Sequence, residues 1–231
     1  MDWLATTQQA FNLLVTGDPE LWAIIFVSLK VSVVAMLLAA PVAVPIGYCL
    51  ATASFRGRNL LIVLNQGLLA APTVVIGLML YLLLSRHGIF GALHLLFTRK
   101  AMVVGQVLIA VPVLVAFTLS AVQGADPRVR ETSMSLGATP LRTAWTTLTE
   151  VRFGVMAAVF SAFGRVVSEI GCSLMVGGNI AGLTRNIPTA IALQTSRGEF
   201  AEGIALGFML LAVAVAVNFS LAFLQGQGGL K

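Results

Sequence analysis

The chain has 231 residues, 58% of them hydrophobic and 10% charged, with a mean hydropathy of +0.96. A water-soluble domain carries about 25% charged residues, so this composition excludes one and reads as a single integral membrane domain spanning residues 1–231. The net charge of +5 comes from 14 Lys and Arg against 9 Asp and Glu, which fits loops flanking membrane spans better than a nucleic-acid surface.

Residues 1–20 hold Asp2, Asp18 and Glu20 as their only charges, and Trp3, Phe11, Leu13 and Leu14 suit a short helix lying on the membrane surface. The lack of Lys and Arg favours the outer side, and the stretch has neither the basic start nor the long apolar core of a secretory signal. A first span is predicted over 21–52. Only Lys30 interrupts it, and the charge-free run after Lys30 alone exceeds the roughly 20 residues that a crossing needs. Pro41 and Pro45 are expected to kink its second half. Arg56 and Arg58 mark the inner side. A second span is expected over 59–84, continuous through Pro72. In the loop 85–100, Phe90, Leu95 and Phe97 suggest a short interfacial helix, and His87 and His94 read as solvated, with no metal-site spacing. A third span covers 101–122, with Pro112 in its middle. A polar stretch follows, then a fourth span over 153–176 that contains Arg165 and Glu169. After Gly177-Gly178-Asn179, residues 187–194 are too short to cross and read as a re-entrant or surface helix that Pro188 helps to start. A fifth span over 203–224 leads into a Gly-rich tail. Cys49 and Cys172 lie in apolar spans and read as small packing residues.

The polar stretch, 126–152, is the most informative. Two short helices are expected, over about 126–136 and 140–149. Gly137 suits the left-handed residue that ends the first. Thr139 suits the N-cap and Pro140 the first position of the second. Glu131, six residues before Gly137, reads by itself as a charge favoured near a helix start. The run E-T-S-x-x-x-G-A-T-P-x-R-T resembles the "EAA…G" cytoplasmic loop of ABC-importer permeases. Glu131 and Gly137 match it in identity and spacing, and Thr132 and Ser133 stand where the family has two alanines. The family's later Leu-Pro is here Leu148-Thr149, a departure from the pattern. In that family the loop is a coupling-helix pair that docks on the ATPase subunit. The resemblance therefore implies contact with an ATPase for Glu131, Gly137, Ala138, Pro140 and Arg142.

Two further groups stand out. Arg165 and Glu169, four apart, share one helix face. Charges inside a span are costly and face a bundle interior or a wet cavity, so the pair is either a structural ion pair or part of a pathway, with Ser168 beside it. Gly154, Ala158 and Ala162 form one row of small residues, and Gly164 with Ser168 another. Such rows suit close helix packing, a dimer axis or a narrow pathway. In the glycine-rich run 177–186 and just beyond it, Asn179, Thr184, Arg185 and Thr189 are candidates to guide an anion. A plain turn with a docking role fits the same residues.

The run from Arg165 to Gly207, together with FRGRNLLIVLNQGLLAAPTVVIGLMLYLLLSR, resembles tungstate-type ABC permeases, relatives of the molybdate and sulfate permeases. Together with the polar loop, the likeness covers almost the whole chain from Leu21. It implies an all-α integral membrane fold of the type I ABC importer permease, with about five transmembrane helices and a short re-entrant helix. It also implies a homodimer, two cytoplasmic ATPase subunits and an external oxyanion-binding protein, in the plasma membrane of a prokaryote. ATP and Mg are expected on the ATPase: the chain contains no G-x-x-x-x-G-K-S/T run and is not expected to be an enzyme. With the polar loop cytoplasmic, the N-terminus lies outside and the C-terminus inside, and the Lys/Arg bias is weak, roughly seven inside against five outside. A molybdate or sulfate permease is the near alternative. An ion-coupled secondary transporter is the more distant one, although no inverted repeat is evident.

Overall fold

The computed structural model describes residues 3–226; the side chains of Trp3, Phe11 and Leu14 and the Gly-rich tail from 227 lie outside the described residues. The described chain is helical throughout: α1 (Trp3–Val15), α2 (Pro19–Thr52), α3 (Arg58–Leu69), α4 (Thr73–Leu84), α5 (Arg99–Gln123), α6 (Pro127–Ser135), α7 (Pro140–Glu150), α8 (Arg152–Val167), α9 (Gly171–Gly177), α10 (Ile187–Arg197) and α11 (Phe200–Gly226). Among them α2, α5 and α11 are long and apolar enough to cross a bilayer alone. The pairs α3–α4 and α8–α9 reach that length only as bent spans, so the span count is five when each pair is taken as one.

The α2 helix starts where sequence dictates. The Asp18 carboxylate accepts the amides of Glu20 and Leu21, and Pro19 takes the first position, where its missing N–H costs nothing. Its 34 residues run through Pro41 and Pro45 as one helix. At 1.5 Å per residue it is about 50 Å long, well beyond a hydrocarbon layer of about 30 Å. It lies alongside α5, and their shared core of Val31, Met36, Ala39, Met102, Ile109 and Leu114 is completed by Ala158, Ala162 and Val166 of α8. A second apolar cluster forms around the first turns of α2. There Leu21, Ile24 and Ile25 meet Ala10 of α1, Ile187 and Ala190 of α10, and Ala205 and Leu206 of α11. The N-terminal helix is thus present, and it packs against α11 instead of lying free of the bundle.

Two predicted spans are broken. The second bends by 98° between α3 and α4. Pro72 donates no amide and disfavours a helical Ala71, and the amides of Ala70 and Ala71 fold back onto Gly67 and Leu68 in a tightened last turn. The fourth bends by 58° between α8 and α9, at residues 168–170. The two breaks touch. A Cβ on Gly171, the first residue of α9, would lie 3.0 Å from the Val74 nitrogen at the start of α4. In the loop 85–98 the expected interfacial helix is only a 3-10 turn, Gly91–Leu93. The Phe97 amide ties this loop to the Val176 carbonyl at the end of α9. Cys172 is buried, but Cys49 is exposed and is not a core residue.

Candidate functional site

The α6–α7 pair stands at the end of the bundle where α2 and α5 finish. Asp126 caps α6 by accepting the Arg128 amide, and Thr139 caps α7 by accepting the Arg142 amide. Gly137, at φ +78°, makes the turn between them, a conformation that a Cβ would strain. The Ser133 hydroxyl donates to that of Thr143 at 3.3 Å and ties the helices together. A groove of about 770 Å³ runs over the turn, lined by Arg128, Thr132, Leu136, Gly137, Ala138 and Arg142, among others. Gly137, Ala138 and Arg142 therefore share one surface, and Pro140 starts the helix beside it. Glu131 does not line this groove. It is exposed in a separate cleft of about 370 Å³ between α6 and the ends of α2 and α5, with Thr52, Val122 and Met134. It is also not at the helix start: it is the fifth residue of α6, and Asp126 fills the capping role. Arg130, beside it, donates to the Thr52 carbonyl at 3.3 Å.

Sequence reasoning passed over the apolar side chains of this segment. Leu136, in the groove, is 82% exposed, Leu141 on α7 is as open, and Trp145 nearly so. The signal was available: large apolar residues in an otherwise polar stretch outside the spans mark a contact surface.

At the α8–α9 break, Arg165 and Glu169 form an ion pair, Nη1 to Oε2 at 2.8 Å. The other carboxylate oxygen of Glu169 accepts the Cys172 amide at 3.0 Å, so one carboxylate joins the last turn of α8 to the first turn of α9. Glu169 is buried, and Arg165 is 42% exposed. The Ser168 hydroxyl is spent on the carbonyls of Gly164 and Arg165. Gln106 of α5, which the sequence did not single out, donates to the Val166 carbonyl at 3.2 Å and braces the same break. The row Gly154, Ala158, Ala162 packs on α5, where a Cβ on Gly154 would meet Ala121 Cβ at 2.6 Å.

The run 177–189 lies at the opposite end, and most of its polar atoms serve the loop itself. The buried Thr184 hydroxyl accepts the Ile180 amide and donates to the Gly177 carbonyl at 2.6 Å. Thr189 and Asn186 form the capping box that starts α10. Asn179 donates to the Thr189 carbonyl. Arg185 pairs with Glu20 at 3.0 Å, joining the loop to α2. Arg99, absent from the sequence-derived candidates, donates to the carbonyls of Gly182 and Leu183 and ties the loop to α5. Arg165, Ser168 and Glu169 are therefore one cluster, and Asn179, Thr184, Arg185 and Thr189 belong to a different one. Among the described residues no group of three His, Cys, Asp or Glu is placed to hold a metal.

No family model matches the chain. The fold is similar to that of an inward-facing MetNI methionine ABC transporter, with a TM-score of 0.72 at 16% identity over 90% of this chain and 97% of that one. A "Probable anion ABC transporter permease protein" of Haloferax volcanii is 39% identical over 83% of this chain and 85% of its own. The chain is an ABC transporter permease. A "Tungstate uptake system permease protein TupB" of Peptoclostridium acidaminophilum is 35% identical over 94% of the permease and 96% of its own length. The permease is thus a multi-pass membrane protein with the type I importer fold, and permeases of this family work beside an ATPase and a substrate-binding protein.

Proposed function

We propose that this permease forms, as a homodimer, the path by which an ATP-driven importer takes up a tetrahedral oxyanion, tungstate before molybdate or sulfate. The observation that carries this is the 35% identity, over 94% of the chain, to a relative named for tungstate uptake. The relative from Haloferax is named for an anion without saying which. The α6–α7 end faces the cytoplasm, the N-terminus lies outside and the C-terminus inside, in the plasma membrane of a prokaryote. Two ATPase subunits hold the ATP and Mg, and an external binding protein delivers the anion at the α10 end.

The geometry suggests how the two sides of α6 divide the work. The groove with Leu136, Gly137, Ala138 and Arg142 receives the ATPase. Glu131 and Arg130, on the other side of α6, face the ends of α2 and α5. Closure of the ATPase pair pushes α6, and α6 moves the spans that it abuts. The test is ATPase activity of the permease reconstituted in liposomes with its ATPase and binding protein. Stimulation by tungstate at far lower concentration than by molybdate or sulfate is expected. Preference for molybdate or sulfate reassigns the anion, and no response to any of the three overturns the oxyanion reading. Uptake that follows an ion gradient and ignores ATP points to a secondary transporter.

A further inference from the structure

The α8 helix has two faces of small residues, and they end differently. Ala158 and Ala162 are fully buried beside α5. The stripe beside it stays open: Ser161, Arg165 and Ser168 are exposed, and a Cβ on Gly164 would meet nothing within 4 Å. The open faces of α2 and α11 carry Leu37, Leu38 and Val42, and Leu211, Val215 and Phe219, side chains that suit lipid tails. A guanidinium with unused donors does not. Arg165 lies about 20 Å along α8 from its first residue, a distance shorter than a hydrocarbon layer about 30 Å thick, so a span that begins at α8 carries it within the layer. A charged side chain at that depth faces a bundle interior or water.

Glu169 anchors this guanidinium from the buried side through Nη1 alone. A guanidinium has five N–H donors in a planar fork that fits oxyanions, so most of them remain for the open face. Resting on the oxyanion reading above, we propose that Arg165 is a waypoint of the transport path, where the passing oxyanion is held by the free edge of the guanidinium. Glu169, on the buried side, offsets part of the guanidinium's charge and leaves its open edge positive. That balance suits transport, in which a site must attract the ion and still release it. An unpaired arginine holds a dianion longer and slows its exit.

Ser168 is exposed three residues after Arg165 on the same open stripe, so a thiol there samples that face. In a Cys49→Ser, Ser168→Cys permease, assembled with its ATPase and binding protein in proteoliposomes, the thiol is labelled by negatively and positively charged methanethiosulfonates. Relative to free cysteine, the anionic reagent is expected to gain at least about tenfold over the cationic one, as in a cleft of positive potential. Tungstate is expected to slow that labelling. Arg165→Gln with Glu169→Gln, which removes both charges and leaves no lone buried carboxylate, is expected to abolish the preference. A thiol that neither reagent reaches overturns the proposal, and so does a charge preference that survives the paired substitution. Tungstate uptake by the unsubstituted permease tests the oxyanion reading separately. If it is absent while the anionic preference stands, the choice of substrate falls and the waypoint does not.

Discussion

The two polar segments of this permease, α6–α7 at one end and residues 177–189 at the other, have similar raw material: hydroxyls, arginines and a glycine turn between apolar helices. They use it in opposite ways. Near α10 the Thr184 and Thr189 hydroxyls and the Asn186 amide bond to their own loop, and Arg185 and Arg99 fasten that loop to α2 and α5. On α6–α7 the caps at Asp126 and Thr139 are satisfied, while Leu136, Arg142 and Glu131 stay exposed around two clefts. Polarity between spans therefore does not mark a contact site. Side chains that the fold leaves unspent do.

Five substitutions sharpen or break that contrast, the first four ranked by their expected effect on stability. Thr184→Val strands the Ile180 amide and the Gly177 carbonyl, and is expected to cost about 1–3 kcal/mol. Thermal unfolding in detergent reads this, and an unchanged melting temperature would mean that the loop does not depend on its hydroxyl. Asn186→Ala removes the cap of α10 and is expected to cost about 0.5–2 kcal/mol by the same measurement. Glu20→Gln breaks an ion pair whose carboxylate is mostly in solvent, so about 0–1 kcal/mol is expected, shrinking further in high salt. Leu136→Ser is expected to leave stability within about 0.5 kcal/mol, because most of the side chain is open to solvent. Yet it is expected to lower ATP-driven uptake by roughly tenfold if Leu136 anchors the ATPase contact. Glu131→Ala sharpens the last comparison: reduced uptake and reduced ATPase stimulation with normal membrane insertion are expected. Full uptake in both the Leu136 and Glu131 variants would remove the coupling role from α6.

The start of α7 was legible at Thr139 and Pro140, and the other helix starts obey the same local rule, although Asp18, Asp126 and Asn186 were not singled out as caps. Asp18 with Pro19, Asp126 with Pro127, Thr139 with Pro140 and Asn186 with Pro188 each set a boundary within three residues along the chain. The bends were not legible. Pro41, Pro45 and Pro112 sit inside continuous helices, and Pro72 marks a 98° break. The same residue type gives different outcomes because α2 and α5 support each other along their length. The break in the fourth span has no proline at all and is stabilised by Glu169 across it and by Gln106 from α5. The placement of Glu131 was equally hidden, since its spacing to Gly137 does not say which side of α6 faces the bundle.

The sequence by itself determined a helical membrane protein, the approximate position of its spans, the Gly137 turn and Thr139 cap of α6–α7, and that Arg165 and Glu169 share one helix face. All of these depend on composition or on neighbours within one helical turn. Only the tertiary structure decided which polar groups were already spent, where two spans break against each other, and which face of α8 stays open. Those outcomes depend on partners far away in the chain, such as Glu20 for Arg185 and α5 for Ala158 and Ala162, whose proximity exists only once the helices have packed.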